Sequence, residues 1–487
     1  MTEKSSLLRQ PLFWVGVLYF AQGFPFGIFY DVLPVYFRRM GVDLREIGFL
    51  SLLGLAWTIK FLWAPAVDYY RHHRRWMLAV DLGMGALLLV IAAEAGFSPT
   101  VQIAIALFAL LSATNDIAID GYTVELLDRS TLGVANGLRN GMYRVGILVA
   151  GTILMASAYI TWPMAYTLAA VLIAVLGLIC LAAPRERPQT VTPQRFFLAR
   201  LLLAAVALAA AGWALDTFLM YVLTPLLPGR ASLTKGLAIV GSVLLPALVA
   251  VLVLRRAPVE RDTPGAPTVV PLFGALIEML KRPQIVPVML FVLTYKLGDV
   301  ALGPMIKPFW VDAGFTDLEI GAISVNIGLG LSILGGLVGG WIVDRVGIFR
   351  ALWILGLFQA LANLGYVWAA SVIPLAGGGE LSASHRVLIY FASANESFSL
   401  GLGSAAFLAF LMSIVNQKFA AAEYALLSSL FALTRHLAGF ASGFGAQELG
   451  YAPYFLLTFF LHFPAYLLLP WVRKMLANVQ QNNGARK

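Results

Sequence analysis

The sequence predicts an all-α membrane protein of two six-helix bundles with two extra transmembrane helices between them, about fourteen helices in all. Three observations predict it. The 487 residues are 60% hydrophobic and only 12% charged, whereas a soluble chain carries about 25% charged residues. The apolar stretches run about 20 residues, the length that crosses a hydrocarbon core as a helix, and not the short alternating strands of a membrane barrel. The two ends of the chain also repeat each other. Within lipid each backbone amide must find its partner inside its own segment, so such stretches fold as helices.

Apolar runs between charged or Gly/Pro breaks place spans at about 12–37, 47–67, 77–95, 101–126, 136–160 and 163–183. Two more follow at about 198–226 and 234–254, then six at 285–311, 320–343, 350–371, 386–414, 422–446 and 451–472. The first bundle thus covers 11–184, a linker of 185–283 holds the inserted pair (about 198–254), the second bundle covers 284–472, and 473–487 form a cytoplasmic tail. With the N-terminus inside, about 22 Lys and Arg fall on the cytoplasmic side and about 6 on the other, a strong positive-inside bias that also puts the C-terminus in the cytoplasm. The net charge of +9 is this topology signal, and no nucleic-acid partner is expected. Met1–Gln10 is a short polar lead without a small-residue cleavage site, so no cleaved signal peptide is expected. The single cysteine, Cys180, lies in an apolar run and reads as a buried, inert thiol.

The halves repeat residue by residue. "GVDLREIG" (41–48) returns as "GFTDLEIG" (314–321), each opening a helix. That helix ends in "APAVDYYRHHRRW" (64–76) and in "GGWIVDRVGIFRAL" (339–352), which makes Asp68 and Asp344 counterparts, followed by Arg74 and Arg75 in one copy and Arg345 in the other. Next, "ATNDIAIDG" (113–121) faces "SANESFSLG" (393–401), pairing Asn115/Asp116 with Asn395/Glu396. "GMYRVGILVAG" (141–151) faces "ALTRHLAGFASG" (432–443), pairing Arg144 with Arg435. Internal repetition of this kind is a feature of secondary transporters, whose site lies near the midplane between repeats.

Charged side chains in mid-span are costly unless paired or hydrated, so they mark a cavity. Asp116 and Asp120 are four apart and share a helix face. Asn136, Asn140 and Arg144 form a polar stripe at the same spacing, flanked by Arg139 and Tyr143. Lys296 and Asp299 can pair within one helix, and Lys307 follows. Asp31 and Gln22 lie in the first span, Lys60 in the second, and Glu396 and Arg435 in the second bundle. A carboxylate in such a place takes and releases a proton when desolvation raises its pKa. Asp116 beside Arg144, and Glu396 beside Arg435, are the expected coupling pairs; permanent ion pairs stapling each half are the other reading. Asp120 has only Leu400 as its counterpart and so suits an asymmetric role. Lys60, Lys296 and Lys307 suit an anionic solute, although Lys60 could instead snorkel or pair with Asp31. Asp81 and Glu94 are expected near helix ends. Asp68 and Asp344 with their basic neighbours read as a gating latch or as a static topology anchor.

Small residues at Gly335, Gly336, Gly339 and Gly340, and less regularly at Gly137, Gly141, Gly146 and Gly151, mark close helix contacts. "GFPFG" (23–27) should bend or break the first helix. Trp57 is the aromatic best placed to stack on a sugar ring. There is no Gly-Lys-Ser/Thr phosphate loop, His72 and His73 lack metal-ligand spacing, and no enzyme, metal or cofactor is expected.

The paired loop motifs resemble the cytoplasmic loop signature of the major facilitator superfamily, with the first copy lacking Gly-Arg-Arg. Longer segments are similar to the AmpG-type permeases of that superfamily, the group that includes acetyl-coenzyme A transporters. They are "EIGFLSLLGLAWTIKFLWAPAVDYY" (46–70), "NDIAIDGYTVELL" (115–127), "LTYKLGDVALG" (293–303), "FRALWILGLFQALANLGY" (349–366) and "AEYALLSSLFALTRHLAG" (422–439). The resemblance implies a proton-driven carrier in the bacterial inner membrane that imports cell-wall-derived muropeptides, and a monomer is expected. Its lysine and aspartate of "YKLGD" become Lys296 and Asp299, and its acidic pair becomes Asp116 and Asp120. Three departures bear on the solute. Asn115 replaces a Gln, Asp31 adds an acid to the first helix, and the extra helix pair sits between the halves and not at the C-terminus. Carriers of acyl-coenzyme A or siderophores, and a membrane assembly factor without a transport cycle, are the alternatives.

Overall fold

The computed structural model describes residues 10–60, 63–64, 67, 72–94, 96–127, 132–184, 214–226, 234–235, 238–239, 241–242, 279, 282–375, 381–415 and 420–484. Among the described residues every regular element is helical, and nine helices are long and apolar enough to cross a membrane. Two more, Leu132–Ala156 and Ala420–Leu449, are long but carry more polar side chains. Of the expected inserted pair, the helix Ala214–Leu223 is described, and most of the rest lies outside the described residues. The described residues group into two compact units, Met1–Val206 with Lys307–Leu329, and Ala207–Ile306 with Gly330–Lys487. Residues 307–329, expected in the second bundle, therefore associate with the first.

In the first unit α1 (Pro11–Gly27) continues through a π-helical turn, Ile28–Val32, into α2 (Leu33–Arg39). The expected distortion falls just past "GFPFG". Pro34 has no amide to bond the Tyr30 carbonyl, and the helix widens immediately before it. The second span is α3 (Leu44–Leu53) and α4 (Leu55–Ile59). Then come α5 (His73–Ala93), α6 (Pro99–Leu126), α7 (Leu132–Ala156) and α8 (Trp162–Leu181). α1 packs along α7, and α5 lies between α6 and α8. The core gathers Trp14, Leu18, Tyr19, Met77, Ile117, Tyr122 and Leu176 around the fully buried Cys180. α1 and α7 approach so closely that a Cβ on Gly23 would lie 2.0 Å from the Tyr143 carbonyl oxygen, a contact only glycine permits.

In the second bundle α9 (Ile285–Thr294) breaks at Tyr295–Lys296 and resumes as α10 (Leu297–Asp312). A short turn, Asp317–Glu319, and a π-helical segment, Ile320–Ile327, lead into α11 (Gly328–Val346). α12 (Ile348–Val372), α13 (Ala383–Ile414), α14 (Ala420–Leu449), α15 (Tyr451–Phe460) and α16 (Phe463–Gly484) complete it. α16 carries the helix into the segment expected as a tail. α12 packs against α13 and α15, as α5 packs against α6 and α8, so the repeats share neighbours as well as motifs. Gly335 and Gly339 of the small-residue run do meet α13, whereas a Cβ on Gly340 would meet nothing within 4 Å.

The repeated motif builds the same joint twice. Gly41 (φ 77°) and Gly314 (φ 86°) take the left-handed conformation that glycine adopts without strain. Val42 and Phe315 each bond back to the carbonyl five residues earlier. Asp43 then caps the backbone amide of Arg45 at 2.9 Å, and Thr316 forms a reciprocal capping box with Glu319.

Candidate functional site

α6 presents Asp116 and Asp120 on one face, one turn apart. Lys60, at the end of α4, lies 3.4 Å from Asp116 and 3.5 Å from Asp120. From α7, Arg139 Nη2 donates to Asp120 at 2.9 Å, and the Tyr19 hydroxyl of α1 donates to the same oxygen at 2.7 Å. The Arg139 guanidinium stacks 4.5 Å above the Tyr19 ring. Gln22 hydrogen-bonds Asp116. Two cations and two carboxylates from three helices thus share one site, balanced in charge. A proton on either carboxylate would leave Lys60 with a single anionic partner. The site is not sealed: the side chains of Asp120 and Arg139 are 34% and 42% exposed.

Several expectations are corrected here. Asp116 meets Lys60 and not Arg144. Arg139 and Arg144 are five residues apart, about 140° around a helix, so only one can turn towards α6, and Arg139 does. Arg144 keeps a buried Nη1 with no hydrogen-bond partner. Asn140 lies exposed beside it, and a Cβ on Gly137 or Gly141 would meet nothing within 4 Å. Lys60 does not pair with Asp31. Asp31 is held by Lys307 at 2.7 Å, a contact between residues too far apart in sequence for spacing to predict. Asp81 is not near a helix end. It lies two turns inside α5, is buried, and accepts from Asn115 Nδ2 at 2.8 Å. Its other oxygen is buried without a partner.

Charge helps to hold residues 307–329 to the first unit, beside the packing of Gly321 and Val325 on Gly151 and Met155. Arg38 grips Asp312 with two bonds of 2.5 and 2.6 Å, a bidentate pair. Arg39 bonds Asp317 at 2.8 Å and the Phe315 carbonyl. Asp317 also accepts from Ser157 at 3.1 Å. In the sequence these arginines read only as loop charges. The signal that could have found them is the basic end of α2 facing, in the repeat, the acidic end of α10.

In the second unit the break at Tyr295–Lys296 turns Lys296 inward. Its Nζ reaches Gln359 Oε1 at 2.9 Å, Ser404 Oγ at 3.1 Å and Asp299 at 3.6 Å. Asp299 accepts from Gln359 Nε2 and lies 3.1 Å from His462 Nε2. The Lys296–Asp299 pairing is as the spacing predicted, but both side chains are sealed, at 3% and 4% exposure. The seal depends on glycines: a Cβ on Gly298 would lie 2.0 Å from the His462 ring, and one on Gly403 would lie 1.9 Å from Gln359 Oε1. His462 is part of this network. Glu396 is half-buried and accepts from Ser397 at 3.2 Å, and Arg435 is exposed on α14. Trp57 is engaged by Phe26, Phe29 and Tyr30.

At the loops, Arg74 Nη1 donates to the Leu181 and Ala183 carbonyls at 3.0 and 2.7 Å, tying the start of α5 to the end of α8. Arg75 and Asp344 are exposed, and Arg345 lies 4.0 Å over the Trp341 ring. Asp68 falls outside the described residues. No group of three or more metal-ligating side chains occurs among the described residues.

Residues 19–228 match the model of the Major Facilitator Superfamily. Along 95% of this chain and 96% of its own length, a putative transporter AmpG 4 of Rickettsia felis is 23% identical. The anhydromuropeptide permease of Escherichia coli K12 is 27% identical over 96% of this chain and 80% of its own. Among solved structures, a peptide transporter POT in complex with sulfate shares the fold with a TM-score of 0.66 at 15% identity, covering 96% of this chain and 95% of that one. The nucleoside transporter NupG gives 0.61 at 14% identity, covering 96% of this chain and 99% of that one. All-helical architecture, repeated halves and these likenesses converge: the chain is a multi-pass membrane transporter, not an enzyme, similar over residues 19–228 to the major facilitator superfamily and along nearly its whole length to AmpG-type permeases.

Proposed function

We propose that the protein is a proton-coupled importer of cell-wall-derived muropeptides, or of a related anionic, sugar-containing solute, in the bacterial inner membrane. The observation that carries this reading is the sharing of Lys60 between Asp116 and Asp120 in mid-span. A charge-balanced cluster with one cation between two acids changes its pairing when a single proton arrives, which is what coupling requires. Arg144 supports the anionic solute. Its guanidinium has a buried nitrogen without a partner, and a carboxylate would supply one. The permease name of the Escherichia coli relative supports the muropeptide class. In this reading Asp31, Asn140, Glu396 and Arg435 serve the pathway, the sealed Lys296–Asp299 pair braces the second unit, and Asp68, Arg74, Arg75, Asp344 and Arg345 tend the cytoplasmic loops.

The test is uptake of radiolabelled anhydromuropeptide into proteoliposomes under an imposed pH gradient. Accumulation that collapses with a protonophore supports the proposal. Gradient-driven accumulation of an acyl-coenzyme A or a siderophore, but not of the muropeptide, reassigns the solute. Muropeptide flux indifferent to the protonophore removes the proton coupling.

A further inference from the structure

One cavity, about 860 Å³, belongs to neither polar cluster. It is a groove on the second unit between α12 and α16, within the roughly 300–1,000 Å³ range of small-molecule sites. Its wall is divided by chemistry. Trp353, Ile354 and Leu469 make an apolar trough, while Arg350, Arg473 and Lys474 stand at one end, and no acidic side chain lines it. Helix packing explains the gathering of charge: Arg350 is in the first turn of α12, and Arg473 and Lys474 lie at the middle of α16. All three are exposed. Arg473 has a ring beneath it, Phe349 at 5.8 Å, but no carboxylate partner among the described residues. The Tyr466 hydroxyl closes the floor by donating to the Trp353 carbonyl at 3.1 Å. Pro470 lies inside α16 and has no amide for the Tyr466 carbonyl, which loosens the helix along the groove. The sequence assigns this end of the bundle to the cytoplasmic side, where anionic lipid headgroups collect basic side chains.

We propose that this groove binds an anionic phospholipid, its phosphate held by Arg350, Arg473 and Lys474 and one acyl chain laid along Trp353, Ile354 and Leu469. Bulk lipid would cover the apolar trough alone. Three cations without a counter-charge among the described residues, at the end the sequence assigns to the cytoplasmic side, select among lipids by charge. The site is independent of the transport reading, since none of its residues belongs to either polar cluster.

Brominated acyl chains quench tryptophan on contact and provide the test. Full-length protein in zwitterionic detergent is titrated with brominated phosphatidylglycerol or brominated phosphatidylcholine, and the signal of the W353F variant is subtracted to isolate Trp353. The glycerol lipid should quench Trp353 at a severalfold lower mole fraction than the choline lipid. R350Q/R473Q/K474Q should erase that preference, and R473Q alone should reduce it about fivefold if the triple variant does not fold. Equal quenching by the two lipids, or a preference that survives in R473Q and in the triple variant, overturns the proposal. So does displacement of the quenching by millimolar inorganic phosphate, which would make the groove a soluble-anion site. Quenching that falls as protein concentration rises would assign the groove to a second copy of the chain and also overturn it.

Discussion

The polar clusters of the two units use the same residue types and treat them differently. Around Asp116 and Asp120 the carboxylates divide one lysine between them, and the side chains of Lys60 and Asp120 are 27% and 34% exposed. Around Asp299 the lysine and carboxylate are 3% and 4% exposed and every neighbour is packed. The first arrangement can exchange partners with water or a solute at little cost. The second has lost that freedom, because removing either partner leaves a buried charge uncompensated. Repeated halves therefore need not share a role: one holds an exchangeable cluster and the other a fixed one.

The largest effect expected from this contrast is on stability. Lys296→Met should destabilise the protein by about 3–5 kcal/mol, and Lys296→Met with Asp299→Asn should recover part of the loss, as read from thermal unfolding in detergent. Lys60→Met, in the partly hydrated cluster, should cost under about 1 kcal/mol. Equal losses at the two lysines would erase the distinction. Next in size, Asp120→Asn should cut gradient-driven uptake roughly 100-fold, the scale of a lost proton-handling group, while unfolding stays near that of the parent. A fall in uptake matched by a fall in folded protein would make Asp120 a staple. Gly403→Ala, which drives a methyl group into Gln359, should cost about 1–3 kcal/mol. Gly141→Ala, with open space around it, should be neutral or stabilising by a few tenths of that amount. The smallest effect is expected at Arg74. Losing its bonds to the end of α8 should cost about 0.5–1.5 kcal/mol without a change in uptake per folded molecule. A changed rate with unchanged stability would instead favour the latch.

What was legible in the sequence was local. Gly41 and Gly314, with the caps Asp43 and Thr316 behind them, signal a helix end and a helix start within eight residues, and both joints formed as the repeat implied. Lys296 and Asp299 sit three apart, and that spacing is enough to predict their meeting. What escaped was set by rotation and by distance along the chain. Whether Arg139 or Arg144 turns towards the acids of α6 is a matter of helix phase, since both lie in the same span. The Arg38–Asp312 and Asp31–Lys307 pairs join residues of different repeats, and His462 reaches Asp299 across 163 positions. No local pattern encodes such partners. An apolar run starting at 77 puts Asp81 near a helix end, whereas α5 already begins at His73.

Asp116 tests the account most directly, through two assays of one proteoliposome preparation: exchange of labelled for unlabelled solute without a gradient, and accumulation with one. The account predicts that Asp116→Asn keeps exchange and loses accumulation, because the shared lysine no longer senses a proton. Accumulation at the parent level in Asp116→Asn would contradict it.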